Sequence, residues 1–116
     1  MDKHKAHLVA KGFSQVEGIY YTETFSPVAK MNSICLVLSL AASFKWEVHQ
    51  MDVKSAFLHG DLHEEIYMEQ PPGFIQKDPS LVCHLRKSLY GLKQDPRAWY
   101  AKMDRFLLDN VEIATR

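Results

Sequence analysis

Apolar and polar residues alternate with period two from Trp46 to Met51 and lead into Asp52, the pattern of a strand covered on one face. Upstream, Ile34, Val37, Leu38 and Ala41 recur at helical spacing, which predicts a helix capped by Asn32 or Ser33 and running to about Phe44. Leu36 and Leu40 add a second apolar face, so this helix is expected to be covered on more than one side. Leu8-Val9 between basic residues suggests a short strand over 5–11, and the unperiodic stretch 13–30, with Gly18 and Pro27, reads as a long irregular loop. Long loops without their own elements are commonly functional or lean on a neighbour.

Beyond Asp52, a turn at Gly60-Asp61 precedes a strand at Ile66-Tyr67-Met68. Pro71-Pro72-Gly73 stops it, and residues 81–85 supply a third strand. Tyr90-Gly91 marks a further turn. Asp95 followed by Pro96 starts a helix expected to reach about Asn110, because the carboxylate accepts a free N–H and proline at the first position loses nothing. Trp99, Met103, Phe106 and Leu107 form its apolar stripe. The fold class that follows is α+β: an antiparallel sheet packed by two main helices, in a single domain over residues 1–116.

Composition narrows the function only slightly. The chain has 116 residues, 47% of them hydrophobic, enough for a core. Fourteen Lys and Arg balance fourteen Asp and Glu, so net charge argues for no phosphate-rich partner and any such claim must rest on local sites. Cys35 and Cys83 lack CxxC spacing and read as reduced thiols of an intracellular protein. The basic start, Met1 to Lys5, is not followed by the apolar run of a secretory signal, and the apolar stretch from Ile34 to Ala42 is far short of the roughly 20 residues of a membrane span. No membrane association is expected.

Several blocks carry chemistry together. Gln50-Met51-Asp52-Val53-Lys54-Ser55-Ala56-Phe57-Leu58, Ser88-Leu89-Tyr90-Gly91-Leu92-Lys93-Gln94 and Pro96-Arg97-Ala98-Trp99-Tyr100 resemble copia-type retrotransposon reverse transcriptase. Leu8 to Gln15, Thr24 to Lys30 and Glu69 to Phe74 match the same family in the same order. The resemblance covers residues 5–109 and leaves 110–116 as a divergent tail. It implies a partial right-hand polymerase, fingers and palm, with RNA or DNA template–primer and deoxynucleotides as partners of the complete enzyme.

By that resemblance, Asp52 is the first catalytic carboxylate, holding Mg2+ with the backbone carbonyl of Val53. Two divalent ions about 4 Å apart suit in-line phosphoryl transfer, and magnesium favours carboxylate oxygen. Taken alone, Asp52 reads first as a strand-terminal residue capping a turn, and the resemblance reverses that order. The resemblance places Phe57 beside the sugar of an incoming nucleotide, where a ring crowds a 2′-hydroxyl; as residues only, Ala56-Phe57-Leu58 also suit a core. Tyr90, Gly91 and Lys93 resemble a second nucleotide block, in which glycine allows close backbone approach. Lys5 and Lys11 resemble phosphate-facing cations of a fingers strand, or simply lysines guarding a solvated strand edge.

His7 and Cys35 stand where the family usually has arginine, and Asp95 where it has a small residue. No Asp-Asp pair occurs, so the Tyr-x-Asp-Asp hairpin that supplies the remaining metal carboxylates is missing, as are the C-terminal palm and ribonuclease H regions. The expectation is a reverse transcriptase fragment inactive alone, with a non-enzymatic remnant that binds nucleic acid weakly as the alternative. His49, His59 and His63 suggest a zinc site only faintly, since Gly60 disfavours the helix that would align His59 with His63.

Overall fold

The computed structural model describes residues 3–110. Helix α1 spans Met31–Phe44, strands β1 and β2 span Asp61–Glu69 and Val82–Lys87, and helix α2 spans Asp95–Asn110. Short 3-10 turns lie at Gly12–Ser14 and Ala56–His59. The strands form an antiparallel hairpin in which Ile66 faces Leu85 and Glu69 faces Val82, with the register slipping between Asp61 and Ile66. Two helices and a two-stranded antiparallel sheet make the α+β class that the pattern predicts.

The hairpin is longer than expected. Asp61, read as a turn residue, already pairs with Lys87, and an irregularity absorbs the residues between it and Ile66. Of the side chains on β1, Ile66 is buried at 4% exposure, and α2 crosses this strand and the 56–59 turn. Among the described residues, Ile66, Ala41 and Leu92 are the buried apolar side chains. The radius of gyration, 19.1 Å, exceeds the roughly 13 Å of a compact domain of this length.

Two predicted strands are absent. Residues 46–53 are irregular and exposed, although their alternation is that of a strand; a strand exists only where a neighbour accepts its backbone bonds, and β1 and β2 pair with each other. Trp46 instead stacks on Phe44, with ring centroids 5.3 Å apart. Residues 5–11 are likewise irregular, tied to the rest through Ala10, whose N–H donates to the Tyr90 carbonyl at 2.7 Å. The 13–30 segment is the irregular loop expected, apart from the turn at its start and an isolated bridge between Glu17 and Tyr21.

The helices differ in how far the pattern holds. α1 begins at Met31 behind an extended Lys30, so Asn32 and Ser33 sit inside its first turn and do not cap it. It ends at Lys45, which is left-handed at φ 54° and whose N–H reaches the Ala41 and Ala42 carbonyls. Its apolar faces are open: Ala41 is buried, while Met31, Ile34, Leu36, Val37, Leu38, Leu40 and Phe44 are exposed. α2 keeps the predicted limits, but its stripe divides. Trp99 and Met103 are half-buried, whereas Phe106 and Leu107 are exposed, because β1 and the 56–59 turn cover the N-terminal half of the helix.

Candidate functional site

The blocks around residues 57 and 90 meet. Ser55, left-handed at φ 57°, turns the chain into the 56–59 helical turn and presents Phe57 to Tyr90, edge to face, with centroids 5.1 Å apart. His7 approaches the same tyrosine at 6.2 Å, also edge-on. The segment bearing Tyr90 follows β2 directly and is anchored at Ser88, whose N–H donates to the Gly60 carbonyl at 3.0 Å.

Gly91 is the residue that makes the turn possible. Its φ is +99°, and a Cβ there would lie 2.2 Å from the Ala10 carbonyl oxygen and 2.7 Å from Val9 Cγ1. On the facing segment, a Cβ at Gly12 would lie 1.8 Å from the Gly91 carbonyl oxygen. The close backbone approach expected at Gly91 therefore exists, but its partner is residues 9–12 of the same chain. Amide side chains seal the contact. Gln15 accepts the Lys93 N–H at 2.8 Å and donates to Gln94 at 3.1 Å, and the buried Gln94 donates to the Tyr20 carbonyl at 3.3 Å.

Asp95 closes the turn from below. It is 2% exposed, and its carboxylate accepts from the Ser88 hydroxyl and from the Leu92 N–H at 3.1 Å. The expected helix cap faces backwards: the carboxylate serves the turn before the helix and not the first free N–H groups within it. Burial pushes its pKa up, opposed by the hydrogen bonds from Ser88 and the turn backbone.

The remaining predicted residues do not converge. Asp52 and Val53 are exposed in the irregular stretch after α1, so Asp52 does not end a strand. Lys5, Lys11 and Lys93 are exposed, with Lys11 and Lys93 brought to the same turn by the Ala10 and Gln15 contacts. A cavity of about 230 Å³ between β1 and α2 is lined by Asp61, Glu64, Gln94, Arg97, Lys102 and Arg105 among others, and includes none of Asp52, Phe57 and Tyr90. Of its acids, Asp61 pairs with Lys87 and with Lys102 at 3.2 Å, and these two lysines hold its pKa below the ordinary range. Arg97 pairs with Glu23.

Among the described residues, no group of three or more His, Cys, Asp or Glu side chains is placed to hold a metal ion. His49, His59 and His63 are not gathered into such a group, and Asp52 with the Val53 carbonyl offers a single carboxylate. Also among the described residues, no helix is long and apolar enough to cross a membrane.

A family model described as reverse transcriptase (RNA-dependent DNA polymerase) matches residues 1–113. The chain belongs to the reverse transcriptase family. It is similar to the Pol polyprotein of transposon TNT 1-94 from Nicotiana tabacum, 59% identical over 97% of this chain and 9% of that protein. It also resembles the polyprotein of transposon RE1 from Arabidopsis thaliana, at 55% identity over 93% of the chain and 7% of the relative. The Ty1-NL2 Gag-Pol polyprotein of Saccharomyces cerevisiae is 34% identical over 95% and 6%. This reverse transcriptase stretch is of the copia type and spans under a tenth of these relatives. No solved structure matches it.

Neither the Gln15–Gln94 pair nor the Ser88–Asp95 pair was foreseen from the residues. Gln15 and Gln94 are ordinary polar residues of two separate blocks that only the contact of distant segments joins, while Ser88 and Asp95 meet across a single turn.

Proposed function

We propose that the chain forms the nucleotide-facing part of the fingers and palm of an RNA-directed DNA polymerase within a longer polyprotein. The observation that supports this best is the Phe57–Tyr90 contact, which joins the two blocks assigned to one nucleotide. In this reading Phe57 crowds a ribose 2′-hydroxyl and Tyr90 fixes the orientation of that ring. Gly91 lets residues 9–12 seat against the turn, so that Lys11 and Lys93, with Lys5 upstream, meet template or triphosphate phosphates as point charges. Asp52 is the catalytic carboxylate, and the Mg2+ it binds with Val53 draws its other ligands from polyprotein segments outside this chain. Template–primer and deoxynucleotide are the partners.

A chimera in which this chain replaces the matching stretch of the tobacco polyprotein tests the reading. It is expected to extend a primer with deoxynucleotides, and Asp52→Asn is expected to lower incorporation on the order of 10²–10³-fold. The 116-residue chain with magnesium, template–primer and deoxynucleotides is expected to extend nothing. Polymerisation by the Asp52→Asn chimera at the parent rate, or extension by the chain alone, would overturn it.

A further inference from the structure

We infer that Asp95 is a positioning residue for the Tyr90–Gly91 segment, a role that rests on the nucleotide-pocket reading above. The geometry isolates what this carboxylate does. Ser88 and Leu92 bracket the turn, and Asp95 accepts a hydrogen bond from each of them, one on each carboxylate oxygen. The Leu92 N–H also points to the Leu89 carbonyl at 3.3 Å, and the Asp95 N–H donates to the Leu92 carbonyl at 3.3 Å, so the side chain locks a turn whose own backbone bonds are long. Between the two anchors lie Leu89, Tyr90 and Gly91. Tyr90 carries the ring against Phe57 and the carbonyl that receives Ala10, while Gly91 carries the left-handed backbone.

The chemistry of the two anchors is unequal. A backbone N–H can only donate, whereas a serine hydroxyl can donate or accept. An asparagine at 95 would keep its oxygen on Leu92 and turn its amide toward Ser88, which would then accept. Alanine at 95 supplies neither acceptor, which leaves the buried Ser88 hydroxyl without this partner and the Leu92 N–H with only its long bond to the Leu89 carbonyl. The clasp is thus reversible at Ser88 and fixed at Leu92.

The test is steady-state incorporation by the tobacco chimera, with KM for deoxynucleotide and kcat measured separately. Asp95→Ala is expected to raise KM about tenfold, the equivalent of one lost buried hydrogen bond, with kcat much less affected. Asp95→Asn is expected to stay within about threefold of the parent, and adding Ser88→Ala to Asp95→Asn to bring back the full defect by removing the acceptor. Should Asp95→Ala fail to fold, the two asparagine variants decide the matter. Equal KM for Asp95→Asn with and without Ser88→Ala, or an unchanged KM in a folded Asp95→Ala chimera, overturns the inference. An inactive parent chimera overturns the nucleotide-pocket reading on which it rests.

Discussion

The segment from residue 31 to 54 is richer in apolar residues than the assembly of hairpin, 88–95 turn and α2, yet it is the assembly that shields apolar side chains from water. In the assembly, Ile66 and Leu92 are buried, and polar groups are matched both across a long sequence separation, between Gln15 and Gln94, and within one turn, between Ser88 and Asp95. In the other segment Leu36 is 61% exposed, Phe44 63% and Met51 88%. α1 is held by its own backbone bonds and its C-terminal closure, which for a helix this short gives marginal stability in water. Apolar content is therefore not burial. What separates the regions is whether segments distant in sequence return to cover the apolar face.

The sharpest way to break that contrast is the same truncation in both regions. Ile66→Ala is expected to cost roughly 3 kcal/mol, through lost burial and a residual cavity. Leu36→Ala is expected to stay within about 0.5 kcal/mol, since its side chain is already solvated. Urea unfolding followed by Trp99 fluorescence in a Trp46→Phe background reads both, and equal costs would erase the distinction.

A somewhat smaller effect is expected from Gly91→Ala, roughly 2 kcal/mol, because it sets a Cβ against the Ala10 carbonyl at a φ that L residues rarely adopt. The same change should speed hydrogen exchange at the Ala10 N–H and leave the amides of α1 as they were. Faster exchange in α1 to the same extent would mean that the two regions are one cooperative unit.

The smallest effect is a pH dependence of opposite sign at two aspartates of the packed assembly. Burial raises the Asp95 pKa, so its contribution is fully present below the ordinary carboxylate range and is lost as pH rises through the raised value. Lys87 and Lys102 lower the Asp61 pKa, so its contribution is present above the ordinary range and is lost as pH falls through the lowered value. Differences in stability between the parent and Asp95→Asn, and between the parent and Asp61→Asn, should then slope oppositely across the acid range. Slopes of the same sign would refute the environments described for one of the two.

The helices and the hairpin were legible because their signals are local. Asp95-Pro96 announces α2, helical spacing announces α1, and Pro71-Pro72-Gly73 separates the two strands. The strands expected at 5–11 and 46–51 were misread for the opposite reason, since alternation describes one chain while a strand requires two. In the candidate site, the pairing of the 57 and 90 blocks was foreseen from family resemblance. The pairing of Gly91 with residues 9–12, and the backward direction of the Asp95 carboxylate, were not.

By itself the sequence determined the family, the α+β class, and the limits of α2, because these depend on residue order, periodicity and the chemistry of single positions. Only the tertiary structure decided that Phe57 meets Tyr90, that Asp95 serves Ser88 and Leu92, and that Asp52 stands in an exposed, unpaired stretch. The first of these joins segments far apart along the chain, and the second sets the direction of a side chain within one turn. Their formation depends on whether burial and hydrogen bonding there outweigh the entropy of closing the intervening loop, a balance that no local pattern records.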